Sequence, residues 1–129
     1  MSKQSIRPTD ITLHQKSRLL EVAFEDGARF QLSCEFLRVY SPSAEVRGHG
    51  PGQETLPLGK EGVNIAAIEP VGHYAVRLRF DDGHDTGLYS WDWLYRLGRD
   101  QERLWNEYLA KLKQVGYPRK TAEDISVTP

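Results

Sequence analysis

Two Asp-Gly pairs, each closing a run of alternating apolar residues, limit this chain to antiparallel hairpins. In Phe24-Glu25-Asp26-Gly27 and again in Phe80-Asp81-Asp82-Gly83 the glycine supplies the positive φ that a tight turn needs. Leu20, Val22 and Phe24 alternate with other residues before the first turn, and Ala28, Phe30 and Leu32 resume the alternation behind it. Tyr74, Val76, Leu78 and Phe80 form an apolar face leading into the second turn, opposite His73, Arg77 and Arg79, and a short strand through Thr86 and Leu88 follows. Ile11 and Leu13 add a strand at the start, while Val63, Ile65 and Ala67 add another that Glu69-Pro70-Val71-Gly72 turns. Cys34 to Tyr40 fits a single helical turn, and Ser90 can cap a helix that opens at Trp91 and ends at Gly98.

A last helix is expected over 100–115, where Leu104, Trp105, Tyr108, Leu109, Leu112 and Val115 make one apolar stripe and Glu107 faces Lys111. Gly116 and Pro118 stop it. The expected class is therefore α+β: an antiparallel sheet of hairpins with a short helix and a C-terminal amphipathic helix. The two turns stand 56 residues apart, and acidic-aromatic-Leu triplets, Glu35-Phe36-Leu37 and Asp92-Trp93-Leu94, follow both. A duplicated strand-turn-strand-helix unit accounts for this echo, and so does ordinary reuse of hairpin chemistry.

A length of 129 residues fits one domain. It is expected over 11–115, between a flexible N-terminus, 1–10, and a flexible tail, 116–129. Residues 41–60 hold three Pro and four Gly and are expected to be irregular. With 17 Lys+Arg against 18 Asp+Glu, the formal charge of −1 gives no electrostatic case for a nucleic-acid partner. The longest aliphatic run, Ile65 to Ile68, is far below the ~20 residues that cross a bilayer. The opening residues lack an apolar signal core, so the expected location is the cytoplasm. One cysteine, Cys34, rules out an internal disulfide and any metal site held by several cysteines of one chain.

Familiar catalytic signatures are missing from the sequence. A His-x-Asp/Glu iron motif would put two ligands on one strand face, but the residues two beyond His14, His49, His73 and His84 are Lys16, Pro51, Ala75 and Thr86. Neither a Gly-x-Ser-x-Gly elbow nor a phosphate loop occurs, and Cys34 following an apolar strand reads as core. Gly48 to Gly52, with Arg38, Arg47 and Lys60 nearby, has the composition of an anion cradle, but plain loop chemistry explains it better. Asp81, Asp82, His84 and Asp85 read as solvated turn charges rather than a cation site. Trp91, Trp93 and Trp105 read as core, with one of the first two partly exposed because residues two apart on a helix face different ways.

Three stretches, Phe36-Leu-Arg-Val-Tyr-Ser-Pro-Ser-Ala-Glu-Val46 with Gly48-His49-Gly50, then Phe80-Asp-Asp-Gly-His84, then Tyr89-Ser-Trp-Asp-Trp-Leu94, carry a resemblance. In that order they resemble the gamma-butyrobetaine hydroxylase-like N-terminal domain family, over about residues 9 to 115, in its stand-alone bacterial form. The resemblance implies an antiparallel sheet with flanking helices. It also implies an accessory role, since the domain accompanies oxygenase domains of carnitine-pathway hydroxylases and some Mrp-type ATPases that carry iron-sulfur clusters. In the hydroxylases it implies a structural zinc held by a Leu-Arg-x-x-Cys-x-Cys-x-x-Cys run and a distant histidine. Here Leu37-Arg38 is kept, but Ser41, Ser43 and Val46 occupy the cysteine positions, and only His84 falls at the histidine position. A serine hydroxyl is a poor zinc ligand and valine is none, so no metal or other cofactor is expected there.

The resulting expectation is a non-enzymatic accessory protein that binds another protein, with a Mrp-type ATPase or another component of iron-sulfur or iron metabolism as the partner. The surface expected to carry this is Arg38, Ser41, Ser43, Glu45, Arg47 and His49, with Trp91 or Trp93 as aromatic anchor. One alternative is direct metal or iron-sulfur cluster binding in a homo-oligomer, through Cys34 of two chains with His84 or His49. The other is a module that binds a small molecule or anion.

Overall fold

The computed structural model describes residues 6–42 and 56–118. Six strands and three helices are present among them: β1 (Pro8–His14), β2 (Leu19–Phe24), β3 (Arg29–Ser33), α1 (Cys34–Val39), β4 (Ile65–Val71), β5 (Ala75–Phe80), β6 (Leu88–Ser90), α2 (Trp91–Arg99) and α3 (Gln101–Gln114). The strands form two antiparallel three-stranded sheets, β1-β2-β3 and β4-β5-β6, which gives the expected α+β class.

Each sheet repeats the other down to its irregularities. The first strand of each carries a register shift after its first residue, between Pro8 and Asp10 and between Ile65 and Ala67. Gly27 and Gly83 take φ of 92° and 91°, the left-handed region their turns require. Asp26 Oδ1 accepts from the Ala28 N–H at 2.9 Å and Asp82 Oδ1 accepts from the His84 N–H at 3.1 Å, so the same side-chain bond shapes both turns. The helix that follows each sheet opens on a serine cap, Ser33 Oγ accepting from Phe36 N–H at 3.0 Å and Ser90 Oγ from Trp93 N–H at 3.1 Å. Cys34 N–H donates to the Arg18 carbonyl and Trp91 N–H to the Tyr74 carbonyl, at 2.9 and 3.1 Å. From the caps onward corresponding residues lie 57 apart, as Ser33 and Ser90 do. The strand-turn-strand-helix unit therefore occurs twice.

One core joins the two sheets. Leu20, Val22, Phe24 and Leu32 of the first pack in the same buried cluster as Val76, Leu78, Phe80 and Tyr89 of the second, with Phe36, Leu37, Leu94 and Leu97 from the helices. A smaller cluster, Val39, Tyr108 and Leu112, docks α3 beside it. α3 ends on Gly116, whose φ of 73° lets its N–H reach the Lys113 carbonyl and the Tyr117 N–H reach that of Leu112.

Five local expectations are corrected. Strand β4 continues through Pro70 and Val71 and the chain turns at 72–74, because Pro70 lies on the edge strand, where its missing N–H costs no ladder bond. Tyr74 consequently falls outside β5 and is 58% exposed, so the buried face is Val76, Leu78 and Phe80 without it. Strand β6 begins at Leu88, after Thr86, and Tyr89 rather than Leu88 is its buried residue. Gly98 sits inside α2 rather than ending it, since a Cβ there would lie 2.3 Å from the Phe30 ring. On α3 Glu107 pairs with Arg103, whose Nη1 lies 3.0 Å from Oε2, rather than with Lys111.

Candidate functional site

The second Asp-Gly turn gathers a polar cluster from α1, the turn and Lys60. Asp82 Oδ2 accepts from Arg38 Nε of α1 at 2.9 Å and from Lys60 Nζ at 2.7 Å. Burial alone would raise the Asp82 carboxyl, but the bonds from Lys60, the His84 N–H and Arg38 outweigh it and hold it at about 2. His84 Nε2 and Ser41 Oγ share a hydrogen bond at 2.9 Å, and Tyr89 OH donates to the Leu37 carbonyl at 2.5 Å. Arg38 Nη1 is buried without a hydrogen-bond partner.

The opposite turn shows what this location needs as mere packing. Arg38 corresponds to Tyr95, and Tyr95 OH donates to Asp26 Oδ2 at 2.7 Å, so each turn aspartate binds the helix of the other unit. Ser41 corresponds to Gly98, and Gly87 to Phe30; Gly98 packs on the Phe30 ring while Gly87 packs on Ser41. A carboxylate, a tyrosine and a phenylalanine ring close the first junction. Two cations, a carboxylate, a histidine and a serine close the second.

A serine and a histidine at this distance also have the geometry of a nucleophile with its base. Ser41 is 1% exposed and His84 6%, so the pair lies inside the protein rather than on its surface. Nor do the residues fit the zinc implied by the resemblance. Two donors of one tetrahedral ion, each about 2.0–2.1 Å from it, stand about 3.3–3.4 Å apart. Ser41 Oγ and His84 Nε2 are closer than that and bond each other directly. Among the described residues no three His, Cys, Asp or Glu side chains are grouped to hold a metal.

Of the residues singled out in the sequence, the structure brings Arg38, Ser41 and His84 together, with Trp93 adjoining them. Trp93 Nε1 donates to the Tyr40 carbonyl at 3.0 Å, and Arg96 lies over its ring at 6.0 Å. Ser41 is interior rather than a surface residue. Ser43, Glu45, Val46, Arg47 and His49 lie outside the described residues, as does Gly48 to Gly52. Cys34 is fully buried, its Sγ 3.7 Å from Asn64 Oδ1, and burial pushes its thiol up to about 11.

Trp91 belongs to a different place. Its Nε1 donates to the His73 carbonyl at 2.8 Å, at the end of the second sheet where Tyr74 is 58% exposed and Leu88, facing Arg77 across β5 and β6, is 41% exposed. The sequence pattern hid Tyr74 by counting it into an apolar face. β5 begins at Ala75, so Tyr74 falls on the turn.

Residues 11–95 match the family model described as gamma-butyrobetaine hydroxylase-like, N-terminal. Two solved structures, both described only as NMR solution structures, are similar over nearly whole chains. One is 52% identical, covers 100% of this chain and 98% of its own, and superposes with a TM-score of 0.79. The other is 41% identical over 92% of this chain and 97% of its own, with a TM-score of 0.77. A third is the crystal structure of a protein of unknown function of the DUF971 family from Acidithiobacillus ferrooxidans, 41% identical over 71% of this chain and 92% of that one, with a TM-score of 0.59. No curated protein matches.

Proposed function

The chain belongs to the gamma-butyrobetaine hydroxylase-like N-terminal domain family, and from that premise we propose a non-enzymatic accessory role exercised by binding another protein. The observation that carries this reading is the exposed end of the second sheet. Tyr74 stays open to solvent beside the half-buried Trp91, and Leu88, opposite Arg77, is exposed on β6. Tyr, Trp and Arg are the side chains that anchor protein interfaces, because they give large contact area and several hydrogen bonds for little lost rotamer freedom. Arg38 and Trp93, at the other polar junction, complete the set. The finer proposal takes its partner from the resemblance: a Mrp-type ATPase or another component of iron-sulfur or iron metabolism. A cluster shared through Cys34 of two chains is disfavoured by the full burial of that thiol.

The test is affinity capture from native lysate with the full chain, beside the variants Tyr74→Ala, Trp91→Phe and Arg38→Gln. A partner enriched by the parent chain and lost with Tyr74→Ala supports the sheet-end surface. Loss only with Arg38→Gln moves the surface to the polar junction. No enrichment by the parent chain sinks the reading, and an enriched set without an ATPase or an iron-sulfur protein removes its finer form.

A further inference from the structure

Residues 43–55 are flanked by Ser41-Pro42 on one side and residues 56–60 on the other, and both flanks are tied to the same four-residue turn. Ser41 Oγ meets His84 Nε2 at 2.9 Å; Lys60 Nζ meets Asp82 Oδ2 at 2.7 Å. The turn is itself fixed to the sheet, since Asp81 Oδ1 accepts from the Asn64 N–H at 3.0 Å and the Asp81 N–H donates to the Asn64 carbonyl at 2.9 Å. Arg38 adds a third tie, from α1 to Asp82 at 2.9 Å. The corresponding turn of the first unit has the same backbone tie, Glu25 N–H to the Arg7 carbonyl at 3.0 Å, and holds a helix tyrosine, Tyr95, through Asp26. A turn of this kind therefore does not require two cations on one carboxylate oxygen and a buried histidine-serine pair. The additional groups are those that reach the two flanks.

We propose that the turn Asp81–His84 is a metal-independent clasp that fixes both flanks of residues 43–55, Ser41 through His84 and Lys60 through Asp82, in place of the ion that the family's cysteine pattern calls for. The bonds from Lys60 and Arg38 to Asp82 join ionised groups, and such bonds are about twice as strong as neutral ones. Gly87 is part of the fit: a Cβ there would lie 2.5 Å from Ser41 Oγ and force the hydroxyl off His84.

Two measurements on the full chain decide it. In the first, protein dialysed against EDTA is melted with and without added zinc chloride, and bound metal is counted by elemental analysis. The expected result is no bound zinc and a melting temperature unchanged within about 1 °C, because a ligand held only by the folded state must raise it. Stoichiometric zinc with a raised melting temperature overturns the proposal. In the second, trypsin cleavage after Arg47 is followed by mass spectrometry for the parent chain, Lys60→Gln and Asp82→Asn. The expected result is cleavage about tenfold faster in both variants, the factor that about 1.4 kcal/mol of lost restraint gives when opening is fast. Unchanged rates in Lys60→Gln overturn it. That variant alters a partly exposed side chain and so decides the matter even where Asp82→Asn unfolds. Neither measurement needs a partner, so a failed clasp and a failed capture are separate results.

Discussion

Asp82 keeps its charge to about pH 2 through Lys60, the His84 N–H and Arg38, which together outweigh its burial. Its unfolded value is about 3.9, so the folded state binds its proton less readily than the unfolded chain does. The stability this confers is complete above about pH 4 and is lost as the pH falls toward 2. An acid titration followed by circular dichroism should therefore show a steeper loss between pH 4 and 2 in the parent chain than in Asp82→Asn. At neutral pH the variant should be less stable by about 1–3 kcal/mol, the usual cost of removing a charged hydrogen-bonding partner. Equal acid limbs in the two proteins would remove Asp82 from this role. Cys34 behaves oppositely. Burial lifts its thiol to about 11, so folding is disfavoured progressively from about pH 8.5, where an unfolded thiol ionises, up to about 11. At pH 8 a thiol reagent should label it fully in urea and by less than about a tenth in buffer over the same time. Rapid labelling in buffer would show that β3 and α1 open easily.

At the scale of elements, Gly98 sets helix propensity against packing. An alanine there gains up to about 1 kcal/mol of propensity in an isolated helix. In the folded chain its Cβ would stand 2.3 Å from Cγ of Phe30, an atom near the base of the ring that cannot swing away. Packing should win: Gly98→Ala is expected to lose about 1–3 kcal/mol in urea denaturation. The double variant Gly98→Ala with Phe30→Leu should lose less than the separate costs combined, since the pair shares one contact. A neutral or stabilising Gly98→Ala would mean that α2 tilts freely on β3. This glycine also shows where the sequence stops being legible. Period-two alternation and Asp-Gly chemistry are local, so the hairpins, the serine caps and the α+β class could be read from neighbouring residues. Gly98 looked like a helix end because its partner, Phe30, is distant in sequence and close only in space. Tyr74 was misread for the opposite reason: it fits the alternation but lies one residue beyond the ladder. Of the site, Arg38 and His84 were visible as family positions. The roles of Asp82 and Lys60 were not, because an ion pair across 22 residues leaves no periodic trace.

At the scale of the whole molecule, the two units meet as a symmetric pair would, residue for corresponding residue: Asp26 with Tyr95 as Asp82 with Arg38, Phe30 with Gly98 as Gly87 with Ser41. Such a duplication allows two outcomes in denaturant, separate melting of each sheet or one transition. The buried cluster decides between them, because neither sheet owns a core: Leu32 of the first and Leu78 of the second lie in one cluster with Leu94 and Leu97 between. Exposing one sheet would strip apolar cover from the other at about 25 cal/mol per Å². One transition is therefore expected in urea, with tryptophan fluorescence and far-ultraviolet circular dichroism coinciding. Leu32→Ala and Leu78→Ala should each cost about 2–5 kcal/mol and shift that one midpoint for both probes, with the slope unchanged. Trp91, Trp93 and Trp105 all lie on α2 and α3, so fluorescence reports the helices while circular dichroism also reports the sheets. Were the units independent, Leu32→Ala would leave a second transition at the parent midpoint in one of the two signals.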